Sequence, residues 1–392
     1  MTNNMKMRST VLHAIGGGWG DKTSSVSTSR VAVIRGADFP AVAVGDTRGL
    51  PRRWEKDSKL PQRLLLAEDI VLEISGGTSD RPTGRSVFVS QRLLDEIGIP
   101  AIPASFCKLV RIDRSVADPY FVYWCLQNMF NEGRAWNYQN RSTGIANFQF
   151  EYFLDQEEIP GFPLEEQRAI AATLGALDDK IESNRRAMTL AQDLGDSLFE
   201  QVDSSHVKLE EIADIVMGTS PKGEFLNETG SGLPFYQGTR DFGFRFPTLR
   251  VWTTYPKRQA NANDVLLSVR APVGDLNRAS QTCCIGRGIA AIRSVDFPST
   301  LYYSMRASTN VWEKFNAEGT VFGSVTKTDV HEALIKWPKC ESLAPLEERL
   351  SVIDRRIASL ERDTQYLATL RDCLLPELMS GRVSVRVMEV SG

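Results

Sequence analysis

Two stretches of the chain carry mostly hydrophobic residues at alternating steps of four and three, the spacing of a helix that packs along another helix. They span about 163–199 and 346–380, and the matching positions of the two stretches are 176 residues apart. The first set is Ile170, Leu174, Leu177, Ile181, Asn184, Met188, Ala191, Gly195 and Leu198. The second set is Leu346, Leu350, Ile353, Ile357, Leu360, Thr364, Leu367, Arg371 and Leu374. These positions, which we call the seam, predict two long helices packed along each other.

The length of the two stretches favours such a helix pair. About 37 residues at ~1.5 Å per residue give a helix of ~50 Å or more, longer than a typical helix inside a domain. The alternative is a pair of helices that pack inside one globular core, because the spacing alone does not exclude it. The polar seam residue Asn184 either fixes the register of the pair, as one buried amide can in coiled coils, or lies solvated at the edge of the seam.

The tetrapeptide Pro-Leu-Glu-Glu begins at Pro163 and again at Pro345, 182 residues apart against 176 for the seam. Pro163 suits the opening turn of a helix, and the two glutamates after it would lie near the positive end of the helix dipole. Because the second copy is out of step with the seam, Pro345 lies one or two turns inside the second helix, or that helix begins later.

Short β-rich runs punctuated by Gly, Pro and Asp precede the first long helix, and they predict strands at 30–35, 41–44, 69–74 and 86–89. An apolar side at helical spacing predicts a helix at 119–131. A second lobe, at about 207–338, repeats this plan, since residues 68–72 correspond to 263–267 and residues 34–38 to 236–240. The polar residues of the two lobes differ at matched places, as two different ligands would require.

The predicted fold class is therefore α+β: two similar mixed α/β domains separated by two long antiparallel, coiled-coil-like helices, with an internal pseudo-repeat. The predicted boundaries are 1–162 for the first domain, 163–205 for the central helix, 206–340 for the second domain, and 341–392 for the C-terminal helix and tail.

Composition places few further limits on the chain. The 392 residues carry a formal net charge of −3, but the acidic excess lies on the two helical stretches and leaves both lobes mildly basic. No run of about 18 apolar residues occurs, residues 1–10 lack the apolar core of a signal peptide, and the six cysteines show no Cys-x-x-Cys pair. We expect a cytoplasmic protein with free thiols.

Catalytic motifs are missing from the sequence. The three histidines, His13, His206 and His331, lie near no other candidate ligand and in no nucleophile motif. The glycine cluster at 16–20 fails the phosphate-loop pattern because Asp21 stands where glycine is needed. The Gly-x-Gly-x-x-Ala pattern at 286–291 leads into a β-type run, so it does not predict dinucleotide binding. We expect no enzymatic activity, no catalytic residue, no metal and no bound cofactor.

Three parts of the chain resemble the DNA-specificity subunits of type I restriction-modification enzymes. Leu-Glu-Glu-Gln-Arg-Ala-Ile at 164–170, continuing through Leu-Asp-Asp-Lys-Ile to Asn-Arg-Arg at 184–186, is similar to the central helix of that family. Residues 367–381 resemble its C-terminal helix. Residues 233–238 and 264–274, and in another version residues 69–77, look like parts of its target-recognition domains.

The resemblance implies a division of labour. The domains at 1–162 and 206–340 would be target-recognition domains, each binding one half of a split, asymmetric site on double-stranded DNA. The helix pair would fix the gap between the half-sites and dock two DNA methyltransferase subunits, through which restriction (translocase) subunits join. S-adenosylmethionine, ATP and magnesium would then be bound by those partner subunits, with no cofactor and no membrane contact in this chain. The acidic helices are the candidate methyltransferase contact.

The residues that contact DNA are expected to be arginine, lysine, asparagine and glutamine, because these side chains bind guanine and adenine edges or phosphates. In the first lobe the candidates are Arg35, Arg81, Arg85, Gln139, Asn140 and Arg141, and in the second they are Lys222, Gln237, Arg240, Arg270 and Lys327. For each of them a solvated or salt-bridged surface role is the alternative. A protein-interaction scaffold whose lobes bind something other than DNA is the main alternative function, and an enzyme with unrecognised motifs is the second.

Overall fold

The computed structural model describes residues 4–142, 145–316 and 325–385. It divides into two compact units: unit 1 is Met1–Glu182 together with Tyr366–Gly392, and unit 2 is Ser183–Gln365. Unit 1 is therefore built from both ends of the sequence, whereas unit 2 is one continuous segment. None of the helices in the described ranges combines the length and apolar character needed to cross a bilayer.

The α-helices of the described residues include two that are far longer than the rest, α7 and α10. In chain order the helices are α1 (Met7–Thr10), α2 (Phe39–Val42), α3 (Leu60–Arg63), α4 (Gln91–Ile97), α5 (Pro119–Asn131), α6 (Phe150–Gln156), α7 (Leu164–Glu200), α8 (Pro298–Arg306), α9 (Lys327–His331) and α10 (Cys340–Met379).

Most strands are short. Those of unit 1 are β1 (Met5–Lys6), β2 (Val11–Gly16), β3 (Thr28–Ile34), β4 (Arg52–Lys56), β5 (Ile70–Glu73), β6 (Ser75–Gly76), β7 (Ser86–Phe88), β8 (Ala101–Pro103), β9 (Cys107–Ile112), β10 (Gln139–Ser142), β11 (Ile145–Phe148) and β12 (Glu158–Ile159). Those of unit 2 are β13 (Ser204–Lys208), β14 (Asp214–Met217), β15 (Leu226–Asn227), β16 (Leu233–Tyr236), β17 (Trp252–Thr253), β18 (Gln259–Ala260), β19 (Val265–Ser268), β20 (Leu276–Arg278), β21 (Cys283–Ile285), β22 (Ile289–Arg293) and β23 (Leu334–Pro338).

The main sheets of unit 1 are an antiparallel one in the order β2-β9-β5-β7 and a three-stranded one in the order β4-β3-β8, in which β3 and β8 are parallel. A hairpin of β10 and β11 extends through β6 into a further small sheet. One face of β5 packs on α5, and the same apolar cluster includes Ile170 and Leu174 of α7 and Leu375 and Leu378 of α10. The long helices are thus part of the core of this unit.

Unit 2 repeats this architecture. Its four-stranded antiparallel sheet has the order β14-β22-β19-β20, which matches β2-β9-β5-β7 strand for strand. Its second sheet, β15-β17-β16-β21-β18, again contains one parallel pair, β16 with β21. The core packs β19 and α8 against Met188 and Leu198 of α7 and Leu350 and Ile357 of α10.

The residue before each central strand shows how closely the two units correspond. Asp69 precedes β5 and binds Arg111 of β9, with Nε–Oδ1 and Nη2–Oδ2 distances of 2.7 and 2.7 Å. Asp264 precedes β19 and binds Arg293 of β22 in the same way, at 2.9 and 2.8 Å. The residue before each aspartate has a positive φ, 74° and 75°. The equivalence of 68–72 and 263–267 is therefore present in the structure, and the predicted fold class is confirmed.

The two long helices run antiparallel in each unit. In unit 1, Asp178 of α7 binds Arg371 of α10, and Phe162 just before α7 lies beside Gly381 just after α10. In unit 2, Asp203 after α7 forms an ion pair with Lys339 before α10. Because α10 begins at Cys340, Pro345 lies just beyond its first turn, the first of the two alternatives that the sequence left open.

Every seam position is buried or half-buried, and none is exposed. Asn184 is 1% exposed, so it does not lie solvated at the edge, and its Nδ2 finds no hydrogen-bond partner among the described residues. Both interpretations of the helices are therefore correct in part. The seam residues line the helix pair, and they also belong to the hydrophobic core of each unit.

The strand predicted at 41–44 is wrong. These residues belong to the short helix α2 and the turn after it, where Ala43 N donates to Phe39 O and Val44 N donates to Ala41 O. Pro40 in the first turn pre-sets the helical φ and cannot donate to a sheet, which outweighs the β propensity of two valines. The helix predicted at 119–131 has its predicted bounds.

Candidate nucleic-acid interface

A buried carboxylate organises the candidate DNA-binding residues of unit 1. Glu73 ends β5, and its side chain is 5% exposed. Arg85 donates to both carboxylate oxygens, from Nε at 3.0 Å and from Nη2 at 2.7 Å, and also to the carbonyl of Gly36 at 2.7 Å. A Cβ at Gly36 or Gly76 would come within 2.5 or 2.8 Å of Glu73 Oε1, so both glycines leave space for the carboxylate.

Two further candidates converge on the same glutamate. Arg81 Nη1 lies 3.3 Å from Glu73 Oε2, and Thr83 Oγ1 donates to the Glu73 carbonyl at 3.2 Å. Gln139, the first residue of the β10–β11 hairpin, accepts from Thr83 N at 3.2 Å. We call Glu73, Arg81, Arg85 and Gln139 the unit 1 edge, a cluster in which two guanidinium groups share one carboxylate and leave a net positive charge.

The remaining unit 1 candidates lie around this edge. Arg35 binds Asp38 through Nε at 2.8 Å and Nη2 at 2.6 Å, and these hydrogen bonds raise the pKa of Arg35. Asn140 is exposed on β10, opposite Asn147 of β11, whose Oδ1 accepts from Ser75 Oγ at 3.0 Å. Arg141 lies on the same strand, but its side chain is outside the described part of the structure.

In unit 2 a chain of hydrogen bonds joins three loops at the equivalent end of the sheet. The backbone N–H of Arg287 donates to Ser220 Oγ at 3.3 Å, and Ser220 Oγ donates to Gln237 Oε1 at 2.8 Å. Gly286 and Gly288 flank the arginine, and a Cβ on either would overlap Gln237. The turn between β21 and β22 is therefore packed tightly against the end of β16.

The other unit 2 candidates are exposed. Arg270 follows β19, Arg240 lies in the turn after β16, and Lys327 opens α9, and no described acidic side chain pairs with any of them. Lys222 Nζ lies 3.6 Å from Glu224 Oε1. This ion pair is exposed to solvent, so it contributes little to stability. We call Ser220, Gln237, Arg270 and Arg287 the unit 2 edge. Gln237 and the segment of Arg270 are linked there through Gly288, whose carbonyl accepts from Val269 N at 2.9 Å and whose N–H donates to the Gln237 carbonyl at 3.2 Å, and Arg287 precedes that glycine.

Polar chemistry differs between the two edges at matched positions. The registers of β5 on β7 and of β19 on β20 make Ser268 the equivalent of Glu73, and Asp275 the equivalent of Arg85. Where unit 1 buries a carboxylate under two arginines, unit 2 has Ser268 Oγ, which accepts from Asp275 N at 2.8 Å and donates to the Pro272 carbonyl at 2.7 Å. The scaffold is shared and the surface chemistry is not.

A second buried charge cluster attaches a loop of unit 2 to the long helices. Arg245 is fully buried, donates to Asp354 of α10 and to Tyr303 Oη at 3.2 Å, and stacks over Tyr302 at 4.1 Å. Arg278 of β20 shares the same aspartate. Two turns further along α10, burial raises the pKa of Glu361. The loop that follows Arg240 is therefore fixed to α10.

Comparison with known proteins places this architecture. No family model matches the chain. The chain is 27% identical over 305 residues, 71% of each protein, to a protein of Methanocaldococcus jannaschii named as the specificity subunit of the type I restriction enzyme MjaX. The crystal structure of a type I restriction-modification S subunit from M. genitalium superposes with a TM-score of 0.62 over 97% of this chain and 96% of that one, at 16% identity.

The chain is similar to a type I specificity subunit over 71% of its length. The resemblance seen in the sequence is therefore confirmed, and the M. genitalium structure shares its fold. The HsdS subunit of Thermoanaerobacter tengcongensis is 25% identical and covers 97% of both chains, but with a TM-score of 0.35 it adds nothing to the fold comparison.

Two residues of the edges, Glu73 and Arg287, were not predicted from the sequence. Glu73 was hidden because a buried acid between arginines is a tertiary feature, and nothing in 69–77 separates it from a surface acid. In the sequence, Arg287 lies inside a Gly-x-Gly-x-x-Ala pattern that does not predict DNA contact. Its signal was a basic residue between two glycines in a tight turn between strands. Which of the candidates contact DNA stays a prediction.

Proposed function

We propose that this protein is the non-catalytic specificity subunit of a type I restriction-modification complex and that it binds a split DNA site through its two units. Unit 1 binds one half-site through the unit 1 edge and the β10–β11 hairpin, and unit 2 binds the other through the unit 2 edge. The observation that carries the proposal is the repeated sheet with unlike polar residues at the same end, in a relative of type I specificity subunits.

The side chains at the two edges have the chemistry that binds DNA. Guanidinium and amide groups at strand ends and on a hairpin can reach base edges in a groove, whereas lysines and arginines that reach only phosphate add affinity without sequence information. A fixed backbone beneath them, such as the glycine-flanked turn at Arg287, reduces the entropy lost on binding.

We assign the helix pair two tasks. As a stiff element with a continuous buried seam it sets the gap between the half-sites, on the order of one DNA turn of ~10 base pairs. Its acidic outer positions dock two methyltransferase subunits, which carry S-adenosylmethionine and through which ATP- and magnesium-dependent restriction subunits join. This chain then needs no cofactor of its own.

The test is a reconstitution of the chain with the methyltransferase subunit encoded in the same genome. Methylated bases mapped in that genome supply the candidate split site, and binding to a duplex carrying it is measured by gel shift across a salt series. We expect binding that weakens steeply with salt and that is lost when either half-site is scrambled. Methyl transfer should require both proteins.

Two results would favour other functions. Equal binding of the native and both scrambled duplexes, without salt dependence, would identify a protein-interaction scaffold. Methyl transfer to DNA by the purified chain alone would identify an enzyme. A duplex with one base pair added between intact half-sites serves as the matched control, since it retains every base contact and changes only the gap.

A further inference from the structure

Two exposed arginines of the unit 2 edge, Arg270 and Arg287, lie just beyond the end of the pairing between β19 and β22. Ser268 of β19 pairs with Ile289 of β22, and Val269 N donates to the Gly288 carbonyl at 2.9 Å. Arg270 lies two residues after Ser268, and Arg287 lies two residues before Ile289, in the turn between β21 and β22. Both side chains are exposed, and no described acidic residue pairs with either. Two exposed guanidinium groups without a described acidic partner offer hydrogen-bond donors and positive charge to an electron-rich ligand.

The equivalent positions of unit 1 carry no charge. The register of β5 on β9, in which Glu73 pairs with Cys107, places Ser75 and Ser105 where unit 2 has Arg270 and Arg287. Ser75 is already engaged, since its hydroxyl donates to Asn147. The two guanidiniums are therefore not required by the shared scaffold, and they distinguish unit 2 from unit 1.

The neighbouring Gln237 is oriented by the same cluster. Its Oε1 accepts from Ser220 Oγ at 2.8 Å, and it lies where a Cβ on Gly286 would come within 2.7 Å. The carbonyl oxygen thus faces the protein, and the two Nε2 hydrogens remain for a ligand. Recognition of adenine by glutamine needs that oxygen as an acceptor for the adenine N6 amino group. In this orientation one acceptor site of the Gln237 oxygen is already used, so Gln237 presents mainly its Nε2 donors.

A protein surface rich in hydrogen-bond donors favours bases that present hydrogen-bond acceptors. In the major groove guanine presents two, N7 and O6, and arginine binds both at once, whereas adenine and cytosine each present an amino donor there. Building on the proposed function, we propose that unit 2 recognises a half-site containing at least one G·C base pair through Arg287 and Arg270, with Gln237 as an additional donor. The half-site of unit 1, whose edge has serines at these positions, does not use this contact.

The test uses the reconstituted complex and its mapped site. Each guanine in either half-site is replaced in turn by 7-deazaguanine, which removes the N7 acceptor and leaves base pairing intact. We expect one half-site to contain a guanine whose replacement weakens binding roughly ten- to hundred-fold. Arg287→Ala or Arg270→Ala should cause a similar loss on normal DNA and little further loss on the modified DNA.

The variant Arg287→Lys separates base recognition from phosphate binding. Lysine keeps the charge but lacks the planar fork of arginine, so this variant should retain the salt dependence of binding and lose most of the preference for guanine. Arg48→Ala is the matched control. It removes a guanidinium that is 90% exposed in unit 1 and pairs with Asp46, and it should respond to 7-deazaguanine as the wild type does.

Two outcomes would overturn the inference and leave the proposed function intact. One is sequence-specific binding in which no guanine of either half-site is coupled to Arg287 or Arg270. The other is an equal loss of affinity for specific and scrambled DNA in Arg287→Ala and Arg270→Ala, which would assign both arginines to phosphates. Absence of sequence-specific binding by the complex would instead reject the proposed function.

Discussion

Asp69 and Asp264 do the same structural task in the two units. Each is almost fully buried, receives two hydrogen bonds from an arginine on the neighbouring strand, and accepts a backbone N–H three residues earlier at 2.7 Å. The arginines are retained at both places, and each has its pKa raised by the hydrogen bonds to its aspartate. These pairs therefore belong to the common scaffold and are distinct from the two edges, where the residues differ.

We predict that Asp69→Asn and Asp264→Asn each destabilise only their own unit, by about 3 kcal/mol, because an arginine loses its charge partner in a buried site. Amide hydrogen exchange followed by mass spectrometry measures this unit by unit. Asp46→Asn, which removes only an exposed pair with Arg48, should cost less than about 1 kcal/mol. Equal loss of protection in both units from either substitution would contradict the prediction.

The buried carboxyl group of Glu361 predicts that the stability of the protein depends on pH. Burial raises its pKa above the ordinary 4.5, and its Oε2 has no hydrogen-bond partner among the described residues. Because the folded state favours the protonated carboxyl, the contribution of this group to stability is greatest below pH 4.5 and is lost as the pH rises through the raised value. We predict that Glu361→Gln is more stable than the wild type at pH 7 and that the difference disappears below pH 4.5.

Denaturant unfolding at several pH values measures this difference. Glu348→Gln, at an exposed position of the same helix, should show no pH-dependent gain. A Glu361→Gln variant less stable than the wild type at pH 7 would show that the carboxylate is held in its charged form.

At the scale of elements, two glycines determine how α7 packs on each unit. A Cβ on Gly175 would lie 2.6 Å from Tyr120 of α5, and a Cβ on Gly195 would overlap the ring of Tyr303 in α8. The same helix thus approaches a tyrosine-bearing helix of each unit at a position without a side chain. Glycine is otherwise unfavourable inside a helix.

The glycine contacts predict whether a substitution stabilises or destabilises the protein. Helix propensity alone predicts that Gly195→Ala stabilises the protein by about 1 kcal/mol. We expect the opposite, a loss of about 1–3 kcal/mol in unit 2, because the added methyl group has no space beside Tyr303. Denaturant unfolding and hydrogen exchange of unit 2 measure it. Ser197→Ala, at an exposed position of α7, controls for propensity, and a stabilised Gly195→Ala variant would contradict the close approach.

The elements differ in how well the sequence predicted them. The seam and the helix at 119–131 follow from local periodicity, and both are present because their apolar faces are buried in the cores. The helix α2 depends on the local effect of Pro40, which the β propensity of the nearby valines concealed. The assembly of Arg81, Arg85 and Gln139 around Glu73 depends on contacts between separate segments, which periodicity does not contain. The sequence named Arg81 and Arg85 as candidates for DNA contact, but it did not predict Glu73, the acid that brings them together.

At the scale of the whole molecule, the proposed spacer predicts a change in the DNA site. Seven residues with an apolar seam inserted after Glu182 in α7, and seven after Gln365 in α10, add ~10 Å to the pair at ~1.5 Å per residue. These are the points at which the chain passes between units. We expect both half-sites to stay the same and the gap to lengthen by one to three base pairs, since the DNA rise is ~3.4 Å.

Methylome mapping of cells that carry the lengthened chain gives the new gap directly. Seven residues inserted in α7 alone should disturb the seam register and reduce methylation at every site. An unchanged gap in the doubly lengthened chain would show that something other than the helix pair sets the distance.

The discontinuous make-up of unit 1 has a consequence for synthesis on the ribosome. Its core needs Leu375, Leu378 and Met379 against α5 and the first half of α7, and these are translated after every residue of unit 2. The usual order, in which the N-terminal domain of a nascent polypeptide folds first, is therefore reversed. A premature stop codon just after Gln365 would leave unit 2 complete and unit 1 without its C-terminal segment.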